Sequence, residues 1–345
     1  MRGKPFLTLT TAIGLTMLSG TAMAQEVTLT LHHFLSPKSS THVNMLAPWA
    51  ERIEEASDGR IKIEIYPSMS LGGAPPQLVR QAVDGVSDIV WTVNGYTPGL
   101  FPRTEVFELP TVFNGDIEAT NLAMREMFEE DLAEEYRGLH VLWLHVHAGN
   151  ALQTADTPVR SPDDTKGMKL RVPNPTANAV VEALGATPVT MPVPELPQAL
   201  TTGVVDGALI PYEIMPSLQL EDVTNYHIEG PDNERFGGTV FQLSMNEARW
   251  NELPDDLKAI LTENTGEAWL RELAEVWARA DEEAIAAAVE AGNERIILSR
   301  EEMDAFNAVL APTVDAWIDS HPDIDGAALV ETAREAIARN TSAKP

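Results

Sequence analysis

The residue best placed for chemistry in this sequence is Arg171, which lies near the end of a short apolar run. The run carries β-prone side chains at Met168, Leu170 and Val172, and Pro173 ends it at once. A guanidinium group pairs in bidentate fashion with a carboxylate and tolerates partial burial better than an ammonium group does. This pattern favours an anion receptor anchored by Arg171. It equally permits a structural ion pair with one of the many acidic residues.

The other residues of chemical interest form no recognisable catalytic constellation. The sequence has no GxSxG elbow, GxxxxGK[ST] phosphate loop, HExxH zinc helix or GxGxxG fingerprint. His145 and His147 lie two apart on a predicted strand, with His140 nearby, but no third ligand follows at the spacing of a metal site. The chain has no cysteine, which excludes disulfides, thiolate metal sites and a cysteine nucleophile. We therefore predict no catalytic residue, no metal and no cofactor.

The first 24 residues have the features of a secretory signal. Arg2 and Lys4 precede an apolar stretch, and small residues up to Ala24 form a cleavage site before Gln25. We expect Sec-dependent export to the periplasm, cleavage after Ala24 and no membrane anchor, because no later segment is long and apolar enough to span a bilayer. The formal net charge of −28 argues against nucleic acid or an anionic membrane as a partner. An anionic ligand would then need cations inside a cleft.

The elements that must position Arg171 alternate between strands and helices. Apolar patterns predict strands at 27–33, 60–66, 88–93, 140–147, 168–172, 205–210 and 239–245, with a further short strand between 185 and 195. They predict helices at 40–57, 75–85, 116–136, 177–184, 195–202, 300–320 and 326–340. A β-α-β-α-β order is typical of a mostly parallel sheet, and it occurs twice in this chain. The run 255–291 contains one helix breaker, Gly266, and predicts a helix long enough to span two domains.

Several ordered segments resemble the periplasmic solute-binding proteins of TRAP (tripartite ATP-independent periplasmic) transporters. They are KGMKLRVP at 166–173, ALGATPV at 183–189, GVVDG at 203–207, GRI at 59–61, FELP at 107–110 and WNELP at 250–254. The match follows the family in order through essentially all of the chain after the signal. Export and a lack of catalytic residues agree with such a receptor.

The resemblance implies a two-domain α/β fold of the periplasmic-binding-protein type II kind. Each lobe would be a mixed or mostly parallel sheet flanked by helices, and a long helix would span both. We expect lobe one over 25–148 and about 237–254, lobe two over 149–236 with part of the C-terminal helices, the spanning helix over 255–291, and C-terminal helices over 292–345. The resemblance also implies closure over ligand and two partners, a small and a large integral-membrane subunit.

In the family the arginine of this motif pairs with the substrate carboxylate, and here that residue is Arg171. Three places depart from the usual pattern. Ile210 stands where the family commonly has a ligand-contacting asparagine, Pro197 replaces a tyrosine, and residues 148–151 read Ala-Gly-Asn-Ala where many relatives have an arginine or another polar group. Sugar acids and dicarboxylates need several polar partners. Retaining the anchor while losing these partners favours a monocarboxylate with an apolar or aromatic body.

We therefore expect an aromatic acid of the benzoate or hydroxybenzoate kind. Flat walls for its ring are available from Phe34, Trp91, Tyr212, Phe236 and Phe241. Polar groups for ring hydroxyls are available from His33, Thr92, Asn94, His147 and Asn150.

The sequence leaves open several alternatives for the ligand and for the class of protein. Ile210 and the aromatic residues would have no bearing on the ligand if they belonged to the cores of the lobes. A C4-dicarboxylate or sugar-acid receptor is the alternative within the family. Outside it stand a periplasmic enzyme that uses the histidines near His147, a sensor domain, and a binding protein of another transport system.

Overall fold

Two mixed β-sheets organise the chain, and the structure, a computed structural model, describes residues 26–342. The predicted signal and its cleavage site lie outside the described residues. The strands are β1 (Val27–His33), β2 (Ile61–Tyr66), β3 (Ile89–Val93), β4 (Leu139–Val146), β5 (Ala151–Thr154), β6 (Lys169–Val172), β7 (Thr187–Thr190), β8 (Gly207–Ile210), β9 (Tyr226–Glu229), β10 (Val240–Asn246) and β11 (Glu294–Ile297). We call the part of the molecule around each sheet a lobe.

The first sheet has the order β2-β1-β3-β10-β4. β1 pairs in parallel with β2 and β3, as the β-α-β-α-β pattern predicted. β10 comes back from the far end of the chain and pairs antiparallel with β3 and β4. β3 is buried along its whole length, which explains its unbroken apolar character.

The second sheet has the order β11-β9-β5-β8-β6-β7. β6 pairs in parallel with β7 and β8, and Arg171 lies opposite Ala208. β5 runs antiparallel to β8 and β9. The predicted α/β fold with a mixed sheet in each lobe is confirmed. β5, β9 and β11 were not predicted; a run of four residues gives only a weak periodicity signal.

Twelve α-helices of the described residues cover these sheets. They are α1 (Ala47–Ala56), α2 (Leu78–Val83), α3 (Ile117–Met127), α4 (Pro175–Ala183), α5 (Leu196–Thr201), α6 (Met215–Leu218), α7 (Glu247–Glu252), α8 (Asp255–Glu263), α9 (Glu267–Glu290), α10 (Arg300–Leu310), α11 (Pro312–Ser320) and α12 (Gly326–Ser342). α9 contacts α3 of the first lobe and α6 of the second. None of the helices in residues 26–342 is long and apolar enough to cross a membrane.

Two predicted segments need correction. The single helix expected over 255–291 is wrong: α8 ends at Glu263, and α9 begins at Glu267. Asn264 Nδ2 donates to the Ile260 carbonyl at 2.8 Å and Thr265 Oγ1 donates to the Leu261 carbonyl at 3.0 Å, so side chains occupy the last acceptors of α8. The segment 292–345 is not purely helical either, because β11 adds the edge strand of the second sheet.

The helices after β11 divide between the two lobes. Met303, Phe306 and Leu310 of α10 belong to the apolar core of the second lobe. α12 instead packs against α3 of the first lobe. The described part of the chain therefore begins and ends on the first lobe, and the helices after β11 contribute to both lobes.

Candidate ligand-binding site

A pocket with about 380 Å³ of empty volume, open solvent included, is lined by residues of both lobes. Six of the twelve residues predicted for the site line it: Phe34, His147, Asn150, Arg171, Ile210 and Phe241. The first and last belong to the first lobe, Arg171 and Ile210 belong to the second, and His147 and Asn150 lie on the segment that crosses between them.

Arg171 is a buried cation without an acidic partner. It is 2% exposed, Nε donates to the Met191 carbonyl at 3.0 Å, and Nη1 approaches the Leu209 carbonyl at 3.4 Å. No carboxylate of residues 26–342 forms an ion pair with it, and Glu195, which attracts it from a distance, is exposed. Burial lowers the pKa of Arg171, but a guanidinium remains protonated in proteins. A buried charge of this kind is stabilised by an anion.

Tyr96 lies beside this guanidinium and was not predicted. Its hydroxyl accepts a hydrogen bond of 2.9 Å from the Val193 backbone N–H, which joins the first lobe to the second. Burial raises the pKa of Tyr96, and the positive charge of Arg171 opposes that rise. The sequence signal was weak, because Tyr96 belongs to a single 3₁₀ turn, Asn94–Tyr96, directly after β3.

The cavity walls are apolar and partly aromatic. Ile210 is 1% exposed and lies on the opposite face of β8 from Leu209, which belongs to the core of the second lobe. Phe34 and Phe241 come from the first lobe, and Trp277 of α9 lies 5.6 Å from the Phe241 ring. Trp277 was missed because its helical spacing also fits an ordinary core position.

Six of the predicted residues lie outside the cavity. Trp91 is behind the wall, stacked on Phe34 and Phe241 at 5.1 and 5.0 Å, and its Nε1 donates to His145 Nε2. Two of these side chains form hydrogen bonds elsewhere, His33 with His42 and Asn94 with Tyr136 and Gln242. Two others pack away from the cavity, Tyr212 under the Arg235 guanidinium and Phe236 against Phe306. Thr92 points to the other face of β3 from Trp91 and does not line the cavity.

Glu213 also lines the cavity and was not predicted. Its side chain is buried, and burial raises the pKa of its carboxyl well above the usual range, with nearby Asp281 adding to the rise. Burial therefore favours the neutral form of this carboxyl beside Arg171. The sequence held one signal, an acidic residue soon after a buried strand, but acidic residues are common throughout this chain.

The histidines do not assemble a metal site. His140 stacks on Trp250 at 3.6 Å, and His145 is buried between aromatic rings. Within residues 26–342, no group of three or more histidine, cysteine, aspartate or glutamate side chains is arranged to hold a metal ion. A larger hollow of about 1130 Å³ beside α3 and β4 contains Arg125, but this arginine is exposed and needs no ligand.

The chain resembles known proteins in both sequence and fold. The chain matches the family model of bacterial extracellular solute-binding protein, family 7 (DctP), over residues 31–320. A TRAP solute-binding protein of Rhodoferax ferrireducens T118, solved in complex with copurified benzoate, is 37% identical with a TM-score of 0.89. That match covers 92% of this chain and 99% of the other.

Two further relatives are named for different ligands, aromatic acids and C4-dicarboxylates. A marine metagenome TRAP solute-binding protein specific for aromatic acid ligands, solved with 3-hydroxybenzoate, is 38% identical, with a TM-score of 0.89 and coverage of 92% and 99%. The C4-dicarboxylate-binding periplasmic protein DctP of Rhodobacter capsulatus is 28% identical over 86% of this chain and 88% of its own. The chain therefore belongs to family 7 of the bacterial extracellular solute-binding proteins, the solute receptors of TRAP transporters.

Proposed function

We propose that this receptor binds a small aromatic monocarboxylate of the benzoate or hydroxybenzoate kind, with Arg171 as the partner of the carboxylate. The observation that carries the proposal is a fully buried guanidinium without an acidic partner at the wall of a largely apolar cavity. The carboxylate would supply the missing counter-charge through a bidentate pair. A closed cleft with one cation also explains how a chain of net charge −28 holds an anion.

The shape and polarity of the cavity support an aromatic body. Phe34, Phe241 and Trp277 offer ring faces and edges, and Ile210 supplies an aliphatic surface where the family commonly has an amide. Two relatives at 37% and 38% identity were solved with benzoate and 3-hydroxybenzoate. We infer the same ligand class for this chain.

A C4-dicarboxylate is the second candidate, since a relative at 28% identity is named for that ligand. A second carboxylate needs a second cation or several hydrogen-bond donors. Among the cavity residues that the structure describes, Arg171 is the one arginine or lysine. This favours a monocarboxylate.

The receptor is proposed to work as an exported binding protein rather than as an enzyme. It would be exported by the segment 1–24, be released into the periplasm, and deliver its ligand to a small and a large integral-membrane subunit. Burial lowers the pKa of His147 to about 3, so this histidine is neutral at pH 7. Incubation of the purified protein with the bound acid should leave the acid unchanged.

The test is a thermal-shift screen followed by calorimetry. Benzoates should raise the melting temperature, whereas succinate and glucuronate should not. Arg171→Gln should then weaken benzoate binding by about 3–5 kcal/mol, at least about a hundredfold in Kd, because the carboxylate loses its charged partner inside a closed cavity. Arg80→Gln, which changes an exposed arginine of α2, is the matched control. A succinate or glucuronate response, or an unchanged Kd in Arg171→Gln, would contradict the proposal.

A further inference from the structure

Three side chains that line the cavity each keep a buried polar atom without a hydrogen-bond partner in the protein. The atoms are His147 Nε2, Asn150 Oδ1 and Glu213 Oε2. Leaving such atoms unpaired is costly, typically about 1–3 kcal/mol for each buried group. Atoms of this kind at the wall of a ligand cavity mark the positions where a ligand supplies the partners.

The hydrogen bond on the other side of the His147 ring determines what Nε2 offers. The Gly149 backbone N–H donates to Nδ1 at 2.8 Å, so Nδ1 carries no proton. Burial lowers the pKa of His147 to about 3, and the charges of Arg235 and Arg171 act in the same direction. A neutral imidazole carries one ring N–H, and because Nδ1 uses its lone pair to accept a hydrogen bond, the proton is on Nε2. His147 therefore presents one N–H donor to the cavity.

The orientation of the Asn150 amide is determined in the same way. Nδ2 is directed at the Gly238 carbonyl at 3.3 Å and at Thr239 Oγ1 at 3.4 Å. A carbonyl oxygen only accepts, so the atom facing it must be the nitrogen. The remaining amide atom, Oδ1, is an acceptor. Asn150 therefore presents a hydrogen-bond acceptor to the cavity, whereas His147 presents a donor. The two residues are three positions apart on the segment between β4 and β5.

We propose that His147 and Asn150 together recognise a hydroxyl group of the ligand. The hydroxyl oxygen accepts from His147 Nε2–H, and the hydroxyl proton is donated to Asn150 Oδ1. A hydroxyl is the smallest group that satisfies both atoms at once, whereas a methyl group satisfies neither and a methoxy oxygen only accepts. The inference rests on the proposed function, with Arg171 holding the carboxylate, and narrows the ligand to a hydroxylated aromatic acid.

Glu213 offers a competing mode of recognition, in which its carboxyl rather than His147 and Asn150 selects the substituent on the ligand. If its carboxyl lost its proton when ligand bound, it would favour a cationic or strongly donating substituent such as an amine. A neutral Glu213 gives an amine no such advantage and leaves the hydroxyl preferred. The amino-substituted acid therefore separates recognition by His147 and Asn150 from recognition by Glu213.

The experiment is calorimetry on the wild-type protein with benzoate and with the 2-, 3- and 4-substituted hydroxy-, methyl-, methoxy- and aminobenzoates. One hydroxybenzoate isomer should bind about tenfold more tightly than its methyl counterpart, the change expected when two hydrogen bonds are gained. If every hydroxybenzoate binds no better than its methyl counterpart, the inference is wrong and the proposed function stands. A tighter-binding aminobenzoate would also overturn it. Failure of all the aromatic acids to bind would overturn both proposals.

Two variants assign the preference to the named atoms. His147→Asn keeps an acceptor for the Gly149 N–H but has no donor at the position of Nε2, and Asn150→Leu removes Oδ1 at nearly constant volume. In each variant the hydroxyl-to-methyl affinity ratio should fall from about tenfold to about threefold or less, because one of the two hydrogen bonds is lost. The ratio is measured within one protein, so a general loss of stability cancels. An unchanged ratio in both variants would overturn the assignment. If neither variant folds, the wild-type series decides.

Discussion

The Arg171 guanidinium is held by backbone carbonyls rather than by acidic side chains. Two carbonyl groups, of Met191 and Leu209, orient the fork without neutralising it. The arrangement keeps a full positive charge available to a ligand while fixing its direction. The sequence left two roles open for Arg171, and the lack of an acidic partner among residues 26–342 argues against a structural ion pair and supports the anchor that we propose.

Tyr96 provides a residue-scale test of that anchor. Tyr96→Phe leaves the Val193 N–H without its acceptor in the closed form, a loss of about 1–3 kcal/mol or about tenfold in Kd. Calorimetry with benzoate measures the affinity, and stopped-flow release should be faster. Tyr66→Phe is the control, because the Tyr66 hydroxyl contacts only Glu64 at the surface among the described residues. Equal affinity in Tyr96→Phe and wild type would contradict the expected role.

Ile210 provides the second residue-scale test. Ile210→Asn places an amide against the apolar part of the ligand, and we expect benzoate affinity to fall by about 1–3 kcal/mol, roughly tenfold. Ile210→Val removes one methylene, and its cost is smaller, about 0.5–1.5 kcal/mol. Benzoate affinity should therefore follow the order wild type, valine variant, asparagine variant. Tight benzoate binding by the asparagine variant would show that Ile210 does not select for an apolar body.

At the scale of elements, Glu108 connects three of them. It ends the 3₁₀ turn Thr104–Glu108, accepts from the Val240 N–H at the start of β10 at 2.8 Å, and accepts from Thr176 of α4 at 3.2 Å. Burial raises the pKa of this carboxyl to about 8, and nearby Glu105 adds to the rise. Burial therefore favours the protonated form of Glu108 at this contact between the two lobes.

This pKa predicts a pH dependence of stability. Between about pH 4.5 and 8 the folded chain keeps the Glu108 proton that the unfolded chain loses, so stability falls as the pH rises. The Glu108→Gln variant cannot ionise at this position. Its free energy of unfolding relative to that of wild type should therefore rise by roughly a few kcal/mol between pH 5 and pH 8.5. Urea unfolding at both pH values measures the difference, with the exposed Glu55→Gln as control. A difference that does not change with pH would refute the prediction.

At the scale of the whole molecule, the structure is a closed form. Arg171, His147, Asn150 and Ile210 are each at most 2% exposed, so a ligand cannot reach them by diffusion through this form. We therefore expect the lobes to separate when they admit a ligand, which would break the Tyr96–Val193 bond. Binding and closure would then be coupled, as in other proteins whose two domains close over a ligand.

Gly95 tests this closure. A Cβ atom at Gly95 would lie 2.3 Å from Asn174 Cβ and 3.0 Å from its Cα, across the junction of the lobes. Gly95→Ala should therefore leave each lobe folded but prevent complete closure, with a loss of at least about tenfold in affinity, because the clash must be relieved by moving backbone. Small-angle scattering should show a smaller radius of gyration when benzoate is added to wild type but not to Gly95→Ala.

The control for closure is Gly266→Ala. The nearest atoms to its new Cβ would be backbone oxygens at 3.8 Å, an ordinary contact, and it lies away from the junction at the start of α9. This variant should bind and compact as wild type does. Equal compaction in the Gly95 variant would show that the two lobes close without the tight contact at Asn174.

The sequence by itself determined the family and the alternation of strands and helices, and it singled out Arg171. These depend on local patterns: a two-residue period in β1, a glycine after a helix at 185, and a motif around Arg171 that stays within eight residues. Short strands such as β5 and β11 left no such pattern, since four residues take strand form only because neighbouring strands pair with them. The break at 264–266 likewise depended on side-chain hydrogen bonds that compete with the helix.

The composition of the cavity was decided by tertiary structure. Trp91 and Val93 have the same orientation on β3, yet Val93 reaches the cavity and Trp91 stacks behind it, because only the last residues of the strand meet the second lobe. Tyr96, Glu213 and Trp277 join the site from three separate elements whose meeting is set by how the lobes pack. The sequence singled out Arg171, the partner that we propose for a carboxylate, and the packing of the two lobes determined which side chains surround the cavity.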